Sequence, residues 1–253
     1  MSRIYDVLAP VISACIAVEL LLVLIFLLLG SFRKYWIVFA YAAWELLATV
    51  AFTIADLLYH ATAPVTAANR TLAQLWYSRL YWVNDVIVDL LRFVLVIVLI
   101  YMASEGARRV SGRLLSGLVV LMVVLPFVLF HPGYHPVQLS SFQLPFPSGS
   151  WFNSTSELLN FGAAIMNLML WAILLPSNRR DPQLVLVSLG LGVVVTGTAI
   201  AYGVRFFVGQ REFAAMGFLF MNLTQLAGWA LWCRAFRPAR KSRQVMDSAV
   251  PSP

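Results

Sequence analysis

Seven apolar runs of membrane-spanning length constrain the fold of this 253-residue chain more than any other feature. A hydrocarbon core about 30 Å thick requires about 20 apolar residues of α-helix, and backbone polar groups inside lipid must be hydrogen-bonded within their own segment. The predicted spans are 7–29, 35–58, 80–102, 114–130, 156–175, 183–207 and 213–233. Unbroken apolar stretches such as 20–29 exclude transmembrane strands, which alternate apolar and polar residues. The sequence therefore predicts an all-α fold, a polytopic membrane bundle of seven transmembrane helices.

The composition argues against a water-soluble globule. Hydrophobic residues make up 61% of the chain, charged residues only 11%, and the mean hydropathy is +0.82. A soluble domain carries about a quarter charged residues, which this chain lacks. The lipid bilayer is therefore the predicted main partner, and the cell membrane the predicted location.

The distribution of lysine and arginine predicts an orientation. With seven crossings, one set of connections holds twelve basic residues. The other holds five when Arg205, at the outer end of the sixth span, is counted with it, and Arg92 alone lies deep within a span. Cytoplasmic connections carry the excess of positive charge, so the amino terminus is predicted outside and the carboxyl terminus in the cytoplasm. The two longest connections, 59–79 and 131–155, are then external.

We expect one transmembrane domain over residues 1–236 and a short, basic, disordered cytoplasmic tail over 237–253. The basic residues of the tail suit anionic lipid head groups. A tail of this length is too short to form a catalytic or DNA-binding domain, so no nucleic-acid partner is predicted. Any signal from this chain would therefore require a separate partner protein.

Ionisable residues within the predicted spans are the principal candidates for function. The six are Glu19, Glu45, Asp56, Asp85, Asp89 and Arg92. A charged residue at the centre of a membrane helix costs about 2.5 to 3.5 kcal/mol on insertion scales, so these side chains should face the bundle interior. The second and third spans are consecutive and antiparallel, which places Glu45 and Arg92 at similar depth. We therefore predict a Glu45–Arg92 ion pair, with Asp89 reaching Arg92 from one turn away.

The charge of this cluster leaves two interpretations open. If ionised, Glu19, Glu45, Asp85 and Asp89 would place four negative charges against the single Arg92. The cluster is either a satisfied polar network that holds helices together, or a site for a proton, a cation or a cationic ligand.

Two other helices have a predicted polar face, and a third has a face of small residues. The fifth span has Glu157, Asn160, Asn167 and Trp171 on one face, and the seventh has Asn222, Gln225, Trp229 and Trp232. Hydrogen bonds between helices are the simplest role for these two faces. The sixth span presents Ser188, Gly192, Thr196, Ala199 and Gly203, a pattern that suits close packing within the monomer or at a homodimer face.

Several chemistries are excluded or unsupported. The seventh span has no lysine to form a retinal Schiff base. All three histidines lie at or beyond the predicted outer membrane edge and form no helical pair, so neither a metal nor a haem site is predicted. No nucleophile stands at a recognisable spacing from a base, and no catalytic residue or cofactor is predicted.

Three segments carry a resemblance to uncharacterised bacterial seven-helix membrane proteins. They are KYWIVFAYAAWELL, LYWVNDVIVDLLRFVLVIVLIYMA and LVLVSLGLGVVVTG. The resemblance covers most of the chain and implies a fold but no activity. The leading functional hypothesis is a non-enzymatic sensing or ligand-binding module. The alternatives are a proton- or cation-coupled transporter and, third, an intramembrane enzyme.

Overall fold

The computed structural model describes residues 2–61, 67–104, 112–130, 135–139, 142–175, 181–208 and 211–238. Side chains are described over 11–55, 77–104, 116–130, 147–175, 181–203 and 216–238, with the exception of Phe218. The predicted tail beyond residue 238 and the side chain of Asp56 lie outside these ranges.

Seven α-helices and one short hairpin make up this part of the chain. The helices are α1 (Ser2–Phe26), α2 (Trp36–Ala61), α3 (Ala67–Ala103), α4 (Gly112–Leu129), α5 (Gly149–Leu174), α6 (Pro182–Val208) and α7 (Arg211–Phe236). One turn of π-helix, Leu27–Ser31, continues α1, and the strands β1 (His135–Leu139) and β2 (Phe142–Phe146) lie between α4 and α5. The predicted helical bundle is therefore confirmed, with a hairpin added to it.

Over their described residues, five of the helices are long and apolar enough to cross a membrane. Their apolar segments are Val11–Ser31, Trp36–Ala55, Tyr77–Ala103, Gly149–Leu174 and Pro182–Gly203. Over its described side chains, the apolar segment of α4 is Ser116–Leu129, and the described part of α7 has Asn222 and Gln225 among its apolar residues. This architecture is compatible with a membrane protein. The count of seven crossings and the orientation stay predictions.

Two helices begin earlier than the hydropathy of the sequence indicated. Helix α3 begins at Ala67, within the predicted 59–79 connection. Several of the residues that follow Ala67 are polar, but they still have the propensity to form a helix. Helix α5 begins at Gly149 rather than at residue 156. The Ser148 hydroxyl caps it by accepting a hydrogen bond from the Trp151 amide at 3.4 Å. Hydropathy marks the apolar part of a helix, whereas a cap marks its end.

The hairpin occupies the connection between α4 and α5. Its strands are antiparallel and pair His135 with Phe146 and Leu139 with Phe142. A proline on each strand, Pro136 and Pro145, stands opposite the other in this register. Proline cannot donate to the ladder, so this two-stranded unit has fewer backbone hydrogen bonds than its length would allow.

The helices form a ring in which each contacts the next. The order around it is α1, α2, α3, α5, α6, α7 and back to α1, while α4 packs outside against α3 and α5. Helix α3 also contacts α6 across the ring, so these two helices line the interior. Many large apolar side chains point away from the ring, including Leu29, Val128 and Leu168, each more than two-thirds exposed. Apolar surface of this extent suits lipid better than water.

One end of the bundle is tied together by polar contacts at the start of α6. The Asp181 carboxylate accepts from the Lys34 ammonium at 2.5 Å and from the backbone N–H of Gln183 at 3.0 Å, which caps α6 ahead of its first residue, Pro182. Partial burial raises the pKa of the Asp181 carboxyl. The bonds from Lys34 and the Gln183 N–H outweigh this effect and hold the pKa below its ordinary value of 3.8. The Gln183 side chain also donates to the carbonyl of Ala235 on α7 at 3.2 Å.

Candidate functional site

Arg92 is the centre of a buried polar cluster between α2 and α3. Its guanidinium donates to the Tyr41 hydroxyl at 2.9 Å, to Asp89 at 2.9 Å and to Glu45 at 3.2 Å. Arg92 is only 3% exposed and Asp89 only 1%. The Tyr41 hydroxyl donates in turn to Glu45 at 2.9 Å, so every member of this group has a charged partner. The buried charge of Arg92 is therefore compensated, while its two carboxylate partners share one positive charge.

The helical repeat explains why these four side chains meet. Asp89 and Arg92 are three residues apart on α3, and Tyr41 and Glu45 are four apart on α2, so each pair shares one helix face. The two helices are adjacent in the ring. A charged guanidinium on one helix therefore meets a tyrosine and a carboxylate on the other.

A second group continues the cluster toward α5 and α6. The hydroxyl of Ser156 on α5 is hydrogen-bonded to Asp85 at 3.0 Å and also to Asp89. The hydroxyl of Tyr202 on α6 donates to the same oxygen of Asp85 at 2.9 Å. Hydrogen bonds thus run without a break from Tyr202 through Asp85, Ser156, Asp89 and Arg92 to Tyr41 and Glu45, joining four helices.

The position of Ser156 between two aspartates has a chemical consequence. A serine hydroxyl carries one hydrogen, so it can donate to only one carboxylate at a time. If Asp85 and Asp89 were both ionised, the second contact would bring two lone-pair oxygens together. A proton held by one carboxyl removes this conflict, because that carboxyl donates to Ser156 while Ser156 donates to the other. The geometry favours a shared proton at these three residues.

The charge count points in the same direction. With all groups ionised, Glu45, Asp85 and Asp89 would carry three negative charges, and Arg92 one positive charge. In a medium of low polarity such an excess is opposed by the loss of hydration and by repulsion between the carboxylates. A proton or a bound cation would reduce it.

The far side of Tyr41 connects the cluster to α7. The Tyr41 ring stacks on Trp229, with centroids 5.4 Å apart and an angle of 18° between the planes. Trp232 meets the edge of the same ring at 5.8 Å and donates its indole N–H to the Val187 carbonyl at 2.9 Å. A movement of Tyr41 would therefore change the surroundings of a buried tryptophan.

Two buried asparagines on α5 have amide atoms without a hydrogen-bond partner among the described residues. Both side-chain polar atoms of Asn160 are unpartnered, as is the side-chain oxygen of Asn167. Asn160 is 1% exposed and lies one helical turn beyond Ser156. Buried polar atoms normally find a partner, so these amides are candidates for contact with a group that the structure does not contain.

The structure brings together four of the six candidate residues: Glu45, Asp85, Asp89 and Arg92. Glu19 lies apart on α1, where its backbone carbonyl accepts a weak bond from the Cys233 thiol at 3.5 Å. One oxygen of the Glu19 carboxyl has no partner in the described part of the chain.

Sequence reasoning missed three hydroxyl residues that complete the cluster, namely Tyr41, Ser156 and Tyr202. The spacing of Tyr41 four residues before Glu45 would have indicated the first of them. No comparable signal marks Ser156 or Tyr202, because their partners lie on helices distant in the sequence.

Within the described residues, no group of three or more histidine, cysteine, aspartate or glutamate side chains is placed to hold a metal ion. No protein-family model matches the chain, and no curated protein or solved structure matches it significantly. The resemblance to uncharacterised seven-helix proteins therefore adds nothing about activity, and a functional argument must come from the cluster itself.

Proposed function

We propose that this chain is a non-enzymatic sensing module of the cell membrane, which responds to protonation of the Asp85–Ser156–Asp89 group and passes the change to a partner protein. It crosses the bilayer seven times, with its amino terminus outside. The twelve-to-five distribution of basic residues and the apolar outer surface of the bundle support this placement.

The observation that carries the proposal is the single hydroxyl of Ser156 placed between two buried carboxyl groups. Gain or loss of one proton changes which of the two aspartates accepts from Ser156. It also changes how strongly Asp89 competes with Glu45 for Arg92. Because these residues lie on α2, α3 and α5, the proton alters contacts between three helices. A ligand that binds two conformations unequally shifts their populations, and here the ligand is a proton.

Fluorescence provides a direct test, since Trp229 stacks on Tyr41 at the end of the hydrogen-bonded chain. The protein in lipid nanodiscs is titrated between pH 4 and pH 9. The contribution of Trp229 is the difference in fluorescence between the native chain and Trp229→Phe. We expect a reversible transition in the native chain that Ser156→Ala and Asp89→Asn abolish or displace by at least one pH unit.

Thr155→Val is the matched control for Ser156→Ala. Thr155 is the adjacent residue on α5 and is equally buried, but its hydroxyl donates to the Trp151 carbonyl of its own helix at 2.8 Å. The control should keep the native transition. A native chain without any pH transition, or a transition unchanged in Ser156→Ala, would refute the proposal.

A second candidate, proton transport, is favoured by one observation: the hydrogen bonds run continuously from Tyr202 to Glu45. Proton flux into liposomes that enclose a pH-sensitive dye separates the two functions. Flux that depends on Asp89 and Ser156 would establish transport, whereas a pH-dependent conformation without flux would establish sensing.

A further inference from the structure

The amide of Asn160 is buried one helical turn beyond Ser156, without a hydrogen-bond partner among the described residues. Its position follows from the way α5 lies along α3. A Cβ at Gly149 would meet Trp82, Ser156 meets Asp85 and Asp89, and a Cβ at Gly162 would meet Phe93. Residue numbers rise together on the two helices, so they run parallel.

This register places Asn160 at the level of Asp89 and Arg92. Four residues of helix advance about 6 Å, and residues four apart share one face. Asn160 therefore continues the line that Ser156 begins, on the face of α5 turned to α3. The hydroxyl of this face meets two carboxyl groups of α3, and the amide follows one turn farther along α5.

We infer that Asp85, Asp89, Ser156 and Asn160 form a binding site for a small monovalent cation, Na⁺, which exchanges with the proton held there. The inference rests on the proposed function and names the second ligand of the same site. One Na⁺ enters as one proton leaves, so the charge of the cluster does not change.

The donor atoms set the class of ligand. Carboxylate, hydroxyl and amide oxygens suit hard cations such as those of the alkali and alkaline-earth metals. Calcium takes six to eight oxygen ligands and magnesium prefers to keep its own water. Two ionised carboxyl groups and Arg92 together carry a net charge of −1. A cation with a single charge balances this, whereas a cation with a double charge does not.

The ionisable groups around this site lie on three helices. On α3 they are Asp85, Asp89 and Arg92, on α2 they are Glu45 and Tyr41, and on α6 the group is Tyr202. The residues that α5 contributes to the site, Ser156 and Asn160, are not ionisable. The described side chains of α4, residues 116–130, include no titratable group. Competition between Na⁺ and a proton is therefore expected at the two aspartates.

The test measures proton release when NaCl is added to the protein in nanodiscs, in weakly buffered choline chloride at constant ionic strength. We expect release of about one proton per chain with Na⁺ and none with additional choline. The Trp229 fluorescence transition should move to lower pH as the Na⁺ concentration rises, by about one pH unit for each tenfold increase above the dissociation constant.

Asn160→Leu and Asn167→Leu form a matched pair of variants. Both residues are buried asparagines on α5, but Asn167 lies about two turns farther from Ser156. Asn160→Leu should weaken Na⁺ binding at least tenfold, whereas Asn167→Leu should bind Na⁺ as the native chain does. Direct binding of radioactive Na⁺ to the native chain, with and without competing protons, tests the same point without a variant.

The outcomes separate this inference from the proposed function. A pH transition in the native chain that Na⁺ does not move would overturn the cation site and leave the sensing proposal standing. Equal Na⁺ affinity in Asn160→Leu and the native chain would show that the cation binds elsewhere. If neither protons nor Na⁺ change the fluorescence of Trp229, both proposals are wrong.

Discussion

Replacement of Arg92 by methionine tests whether this guanidinium holds the cluster together. Methionine is unbranched and apolar, so Arg92→Met removes the charge while it keeps much of the side-chain length. It deletes hydrogen bonds to Tyr41, Asp89 and Glu45 and leaves two carboxyl groups without their cation. The free energy of unfolding should fall because these two carboxyl groups stay buried after the compensating charge of Arg92 has been removed.

The loss of unfolding free energy in Arg92→Met has a lower and an upper bound. Hydrogen bonds between membrane helices average about 0.6 kcal/mol, so three of them contribute about 2 kcal/mol. Removal of one member of a buried ion pair costs about 3 to 5 kcal/mol, because the remaining charge is left uncompensated. We therefore expect Arg92→Met to lower the free energy of unfolding by about 2 to 5 kcal/mol.

The assay is reversible unfolding in mixed micelles by increasing fractions of dodecyl sulfate, followed by tryptophan fluorescence. Arg33→Met is the control, since Arg33 is exposed near the end of the bundle and should change stability by less than about 0.5 kcal/mol. Asp89→Asn in the Arg92→Met background should recover about 1 to 3 kcal/mol relative to the sum of the single changes, because it removes the orphaned charge. Additive effects, or an Arg92→Met chain as stable as Arg33→Met, would refute the reasoning.

Three further predictions concern other parts of the molecule. The contact between Lys34 and Asp181 should stabilise the fold by at most about 1 kcal/mol at neutral pH. The pKa of the Asp181 carboxyl is lowered from its ordinary value of 3.8, so the contribution of this contact should be complete above pH 3.8 and should decline as the pH falls below 3.8. Acid unfolding curves should show this decline in the native chain and not in Lys34→Met. Gly228→Ala should lower the free energy of unfolding by about 1 to 3 kcal/mol, because the added methyl would lie 2.9 Å from the Gly190 carbonyl oxygen. Gly203→Ala, whose added methyl has no described atom within 4 Å, should not lower it. A reporter enzyme active only in the cytoplasm should be active when fused to the carboxyl terminus, and activity of a periplasmic reporter there would contradict the predicted orientation.

Much of the helical architecture could be predicted because lipid imposes a length and a composition on each helix. The contact of Arg92 with Glu45 and Asp89 follows from the same constraint, since charged side chains on neighbouring helices at equal depth have few other partners. The residues between 67 and 79 were assigned to a connection because hydropathy cannot detect a helix that continues beyond its apolar part.

The remainder of the site depends on contacts between distant helices. Ser156 and Tyr202 are common residues in membrane helices, and neither carries a charge that marks it for attention. Their importance appears only when α5 and α6 are placed against α3. The hairpin was not predicted because its strands are short, lie in a connection and contain two prolines.

The close contact of α6 with α7 has a consequence for how the chain enters the bilayer. Gly190 faces Gly228 and Gly197 faces Thr224, so these two helices approach nearly backbone to backbone along much of their length. Among the described side chains of α7, the polar groups of Asn222 and Gln225 interrupt the apolar residues. We expect the insertion of α7 during biosynthesis to depend on α6, the two entering as one helical hairpin. Chains translated without α6 should then leave α7 outside the bilayer, where protease protection or glycosylation mapping would detect it.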